Sequence, residues 1–159
     1  MFEALRPVLN RGGAGRYISR EESVARLVPV ASRHLDILYA YTGALPAVES
    51  ADARGRIEGL LPYLRTEISK VFETVLSLGG TAPTGTERPY AGTAPAGDTD
   101  AERVGALVEA ERQFGAALGE EAEAVHHQER TRAILLHNAA ASAKRLDVLR
   151  EVAAALPRA

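Results

Sequence analysis

Mostly apolar residues recur every three or four positions over much of this chain. The first such stripe consists of Val24, Leu27, Ala31, His34, Leu38, Tyr41 and Leu45. This spacing is the period of an amphipathic α-helix, and the alternation typical of β-strands is absent. We therefore predict an all-α fold.

Similar stripes predict three further helices. The four predicted helices cover residues 20–44, 50–78, 100–125 and a final stretch from the polar turn at 126–130 to about Leu156. Ser19 with Glu22, and Thr99 with Glu102, have the spacing of a capping box, which predicts a helix start at each place. Pro157 is expected to end the last helix.

Prolines and glycines fall within two of the predicted helices and are expected to disturb them. Pro29 either kinks the first helix or marks its true start after a preliminary turn, and the sequence leaves both open. Pro62, aided by Gly55 and Gly59, predicts a kink in the second helix. Gly79–Gly80 is expected to cap that helix at its carboxyl end.

The segment between the second and third predicted helices is long and has no aliphatic periodicity. Adjacent antiparallel helices need only about two to eight connecting residues, so a connection of this length predicts a crossover that makes these two helices parallel. The expected organisation is a flexible arm at residues 1–18 and a bundle at 19–157, with the crossover loop at 80–99.

Composition excludes several classes of protein. The chain has 159 residues, which suits one domain, and no cysteine, which excludes disulfides and thiolate metal sites. Its 19 basic and 21 acidic residues give a net charge of −2, so we expect no nucleic-acid partner. Without a long apolar run we also expect no membrane partner, and a soluble cytoplasmic protein.

One motif carries a resemblance to a known family. The segment ETVLSLGGTAPTG at 73–85 is similar to the Leu-Gly-Gly-x-Pro turn that often ends ferritin-like helices, with its proline one place later. A Glu-Arg pair, Glu111–Arg112, lies in the third predicted helix. With its short, long and short connections, the chain over roughly residues 30–155 resembles a bacterial ferritin-like family of unknown function. The resemblance implies a ferritin-like four-helix bundle.

The resemblance also implies a carboxylate centre for iron or another divalent metal. A standard di-iron site takes Glu-x-x-His pairs from two helices. Here only Glu123-Ala-Val-His126 has that spacing, at the end of the third predicted helix. The standard signature is incomplete, so we expect a non-catalytic protein or one with residual metal binding.

Polar residues on the core-facing stripes supply the candidate metal ligands. In the crossover topology His34 and Glu111 each lie about 11 residues above the same end of the bundle, so they share a level. Glu67 and His137 share a second level, roughly 10 Å higher. The other interpretation of these four residues is two buried Glu–His hydrogen bonds that specify packing.

Two alternative functions belong to other classes of protein. The segment HNAAASAKRL at 137–146 is similar to the motif of histidine phosphotransfer domains, which implies His137 as the phosphorylated residue; Ala140 and Ala141 replace the lysine and glycine of that motif. The second alternative is a helical interaction module that binds another protein or a second copy of itself. A core-facing His137 would favour the ferritin-like interpretation, and an exposed His137 beside Lys144 would favour phosphotransfer.

Overall fold

The computed structural model describes residues 19–84, 97–125 and 129–157. Regular structure within these ranges is helical throughout, with no strand among them, which confirms the all-α prediction. The described elements are α1 (Arg20–Ala44), a 3-10 turn (Leu45–Ala47), α2 (Ala51–Glu58), α3 (Leu61–Ser77), α4 (Asp100–Ala124) and α5 (Glu129–Ala155). The predicted arm at 1–18, most of the predicted crossover and His126–Gln128 lie outside the described residues.

Side-chain caps fix the helix starts where the sequence predicts them. The Ser19 hydroxyl accepts a hydrogen bond from the Glu22 amide at 3.1 Å. At the start of α4 the Thr99 hydroxyl accepts from the Glu102 amide, and the Glu102 carboxylate accepts from the Thr99 amide at 3.0 Å. These bonds satisfy backbone donors that have no partner inside the helix.

The two prolines behave differently. Pro29 lies inside α1, which begins at Arg20, so the proline does not mark the helix start. The predicted kink at Pro62 is instead a break between two helices: α2 ends at Glu58, and Pro62 lies in the first turn of α3. A proline is tolerated there because the first amides of a helix have no intrahelical acceptor. Helix α3 ends just before Gly79, whose φ of 84° is the left-handed conformation expected of a glycine cap.

Contacts along the helices show how neighbours are directed. Arg26 near the start of α1 pairs with Glu121 near the end of α4, at 3.7 Å. Beyond the other end of α1, the Ser50 amide donates to Asp100 at the start of α4. Helices α1 and α4 are therefore antiparallel.

The last helix, α5, is antiparallel to α4. Glu111 within α4 contacts Arg145, whereas Glu123 at the end of α4 lies 4.0 Å from Arg132 near the start of α5. Arg56 of α2 pairs with Glu151, near the end of α5. The apolar core lies between these helices; its largest fully buried aliphatic side chains are Leu27, Val30, Val48, Ile57, Leu64, Val71, Leu118, Leu135 and Leu149.

None of the helices in the described part of the chain combines the length and the apolar character needed to cross a membrane.

Candidate functional site

A buried arginine lies at the polar centre of the bundle. Arg145 of α5 is only 3% exposed. Its Nη1 donates to Glu67 Oε1 of α3 at 2.6 Å, while its Nε and Nη2 donate to the two carboxylate oxygens of Glu111 of α4 at 3.1 and 2.9 Å. One guanidinium thus holds two buried carboxylates from different helices, one of them through both oxygens.

Glu111 is fully buried and receives the most hydrogen bonds in this network. Besides the two bonds from Arg145, its carboxylate accepts one from the Tyr41 hydroxyl of α1 and one from the Ser142 hydroxyl of α5, each at 2.6 Å. A buried carboxylate is stable only when such donors replace the water that it has lost. Both carboxylate oxygens of Glu111 therefore have donors inside the protein.

Glu67 has a poorer environment. Arg145 donates to its Oε1, but its buried Oε2 has no hydrogen-bond partner among the described residues. Burial raises the pKa of the Glu67 carboxyl, and the charge and hydrogen bond of Arg145 oppose only part of that effect. Of the two carboxyls, Glu67 is the less well stabilised as an anion.

The groups that donate to the carboxylates keep their protons. Burial, together with the charge of Glu111, raises the pKa of the Tyr41 hydroxyl. The pKa of Arg145 also lies above its usual value: burial lowers it, but the hydrogen bonds and negative charges of Glu111 and Glu67 outweigh that effect. The network therefore consists of one permanent cation, a neutral phenol and two carboxyls.

His34 extends the network on α1. Its Nδ1 lies 2.8 Å from the Val30 carbonyl oxygen, and its Nε2 lies 3.1 Å from the Asn138 amide nitrogen of α5. A neutral ring with its proton on Nδ1 satisfies both contacts, because Nε2 then accepts from the amide. Burial lowers the pKa of His34 to about 4, so the ring is neutral at pH 7.

One aromatic ring joins the two halves of the network. The His34 ring packs edge-to-face against Phe114 of α4, with centroids 4.8 Å apart. The Arg145 guanidinium carbon lies 5.9 Å from the centroid of the same ring. Phe114 therefore packs against both the neutral imidazole and the charged guanidinium.

The local sequence explains how these side chains meet. Asn138, Ser142 and Arg145 are spaced four and three residues apart, so they share one face of α5. Gly115 of α4 lets that face approach closely, since a Cβ at this position would lie 2.8 Å from the Ser142 hydroxyl. The close approach brings Ser142 within reach of Glu111.

The structure buries three of the four predicted metal ligands. His34, Glu67 and Glu111 all lie in or beside the network. The predicted hydrogen bond between His34 and Glu111 is wrong, because His34 contacts Val30 and Asn138 instead. The predicted separation of Glu67 from Glu111 by roughly 10 Å is also wrong, because one guanidinium holds both carboxylates.

His137 is exposed and Glu67 is hydrogen-bonded to Arg145, so the predicted buried hydrogen bond between His137 and Glu67 is wrong. The next residue, Asn138, faces the core instead, because successive residues of a helix are about 100° apart around its axis.

Sequence reasoning missed Arg145, which holds the network together. The signal was present: position 145 follows Ser142 by three residues and lies on the same stripe. Leu146 satisfies the period almost as well, and an apolar side chain is the usual core residue. The period and the residue type alone therefore predict Leu146, rather than Arg145, as the core-facing residue.

Metal binding by His34, Glu111, Glu67 and His137 stays a prediction. Across residues 19–84, 97–125 and 129–157, no three histidine or acidic side chains are grouped so that they could hold a metal ion. His126, from the only Glu-x-x-His spacing, lies outside these ranges. Comparison with protein-family models and with curated proteins finds no match to this chain.

Proposed function

We propose that this protein is a ferritin-like helical bundle without a working metal centre, and that it acts as a non-catalytic scaffold. One observation carries the proposal. The Arg145 guanidinium is hydrogen-bonded to both Glu67 and Glu111, the carboxylates predicted to bind metal. The side chain of α5 thus supplies the positive charge that a metal ion would bring to these carboxylates.

The directions of the helices support the ferritin-like part of the proposal. Gly80, just beyond α3, lies against Val24 near the start of α1, which is consistent with α3 antiparallel to α1. Because α4 is also antiparallel to α1, α3 and α4 would be parallel. Their connection at residues 78–99 is long enough to return along α3, whose 17 residues span only about 25 Å at 1.5 Å per residue. A long connection between the second and third helices is ferritin-like.

The atoms of Glu111 and His34 that would bind a metal already have hydrogen-bond partners, which supports a bundle without a working metal centre. Both oxygens of Glu111 accept hydrogen bonds from Arg145, and both nitrogens of His34 have partners. A divalent cation beside Glu111 would have to displace these donors and tolerate the positive charge of Arg145 nearby. Each of these requirements makes metal binding less favourable.

A metal-retention experiment tests the proposal. The untagged protein is incubated anaerobically with Fe(II), Mn(II) and Zn(II) in separate samples, desalted, and analysed for metal by mass spectrometry. We expect no stoichiometric metal. One or two retained equivalents that disappear in Glu111→Gln would overturn the proposal, since they would show that Arg145 does not exclude a metal.

A second variant examines the role assigned to the guanidinium. Arg145→Met keeps a long side chain but removes the charge and the donors, leaving two buried carboxylates without a cation. Where this variant remains helical by circular dichroism, metal retained by Arg145→Met and not by the wild type would support the proposal. The same metal content in both proteins, including none in either, would show that Arg145 is not what excludes the metal.

Exposure of His137 favours a second candidate function, histidine phosphotransfer. Lys144 is exposed seven residues further along α5, on the same side of the helix. The test is incubation with acetyl phosphate, followed by intact-mass measurement of the wild type and His137→Gln. An added phosphoryl group that is present in the wild type and absent in the variant would support phosphotransfer over the scaffold.

A further inference from the structure

We draw no further inference here: the strongest candidate, the buried Glu67 Oε2 that has no hydrogen-bond partner among the described residues of the bundle centre, belongs to the site already described, and nothing around it indicates a ligand.

Discussion

At the residue scale, the two carboxyls held by Arg145 differ in how well they are satisfied. Glu111 accepts hydrogen bonds from Arg145, Tyr41 and Ser142, whereas Arg145 is the only donor to Glu67 among the residues that the structure describes. A single guanidinium carries one positive charge, and two ionised carboxylates carry two negative charges. The desolvation cost of the unbalanced charge therefore falls mainly on Glu67.

This difference predicts unequal effects of amide substitutions. In Glu67→Gln the side-chain carbonyl can still accept from Arg145 Nη1, so we expect the free energy of unfolding at pH 7 to change by no more than about 1 kcal/mol. Glu111→Gln removes the charge opposite Arg145 and turns an acceptor into a donor, so we expect a loss on the order of 3 kcal/mol. Urea denaturation followed by circular dichroism measures both. Equal losses in the two variants would contradict the assignment.

The raised pKa of Glu67 also predicts a pH dependence. The Glu67 carboxyl binds its proton more tightly in the folded protein than in the unfolded chain, where its pKa has the ordinary value of 4.5. Glu67 therefore contributes stability at low pH, and this contribution is lost as the pH rises through the folded-state pKa. We expect the unfolding free energy of the wild type, minus that of Glu67→Gln, to decrease as the pH rises above about 4.5. A difference that increases with pH would show that the pKa is lowered instead.

His34 predicts the opposite pH trend. Its pKa is about 4 in the folded protein and 6.5 in the unfolded chain, so its contribution is complete above pH 6.5 and is lost as the pH falls towards 4. The shift corresponds to about 3 kcal/mol. Urea denaturation between pH 7.5 and pH 4.5 should show a steeper loss for the wild type than for His34→Gln. His137→Gln is the control, since exposed His137 lies outside the core. If the unfolding free energy of His34→Gln fell with decreasing pH as steeply as that of the wild type, the role of His34 would be refuted.

At the element scale, the contact between α4 and α5 depends on a glycine. Gly115 faces Ser142, whereas a Cβ at Gly119, one turn later on α4, would meet no neighbouring heavy atom within 4 Å. A side chain at position 115 would therefore meet the neighbouring helix, whereas one at position 119 would enter open space. Of the two glycines, only Gly115 is required by the packing of the bundle.

These two glycines form a matched pair for substitution. In Gly115→Ala the new methyl group would displace the Ser142 hydroxyl from Glu111, and we expect a loss of about 1–3 kcal/mol. In Gly119→Ala the methyl group enters open space and improves helix propensity, so we expect a gain of up to about 1 kcal/mol. Thermal and urea denaturation of both variants measure the difference. A Gly115→Ala protein as stable as Gly119→Ala would show that the helices do not approach as closely as described.

At the scale of the whole molecule, the network joins four helices at one level. Tyr41 comes from α1, Glu67 from α3, Glu111 from α4 and Arg145 from α5. If one helix slid or rotated, a buried charge would lose its partner, at a cost greater than that of most apolar mismatches. We interpret the network as a device that specifies how the helices pack against one another.

Removal of the shared cation tests this interpretation. Arg145→Met leaves two buried carboxylates without a cation, and we expect the unfolding free energy at pH 7 to fall by about 3–5 kcal/mol. Arg56→Met, which removes the exposed pair with Glu151, should cost less than about 1 kcal/mol. A loss in Arg145→Met no larger than that in Arg56→Met would mean that the buried network does not stabilise the packing.

The sequence alone determined the helical class, the starts of α1 and α4 and the end of α3, because helical period, capping hydroxyls and glycine caps act within a few residues along the chain. It also marked His34, Glu67 and Glu111 as core-facing. Tertiary packing decided that Asn138 rather than His137 faces inward, and that Arg145 rather than Leu146 reaches the two carboxylates. The physical reason is that neighbouring positions on a helix differ by about 100°, and a stripe with spacings of three and four fits either choice until the other helices are in place.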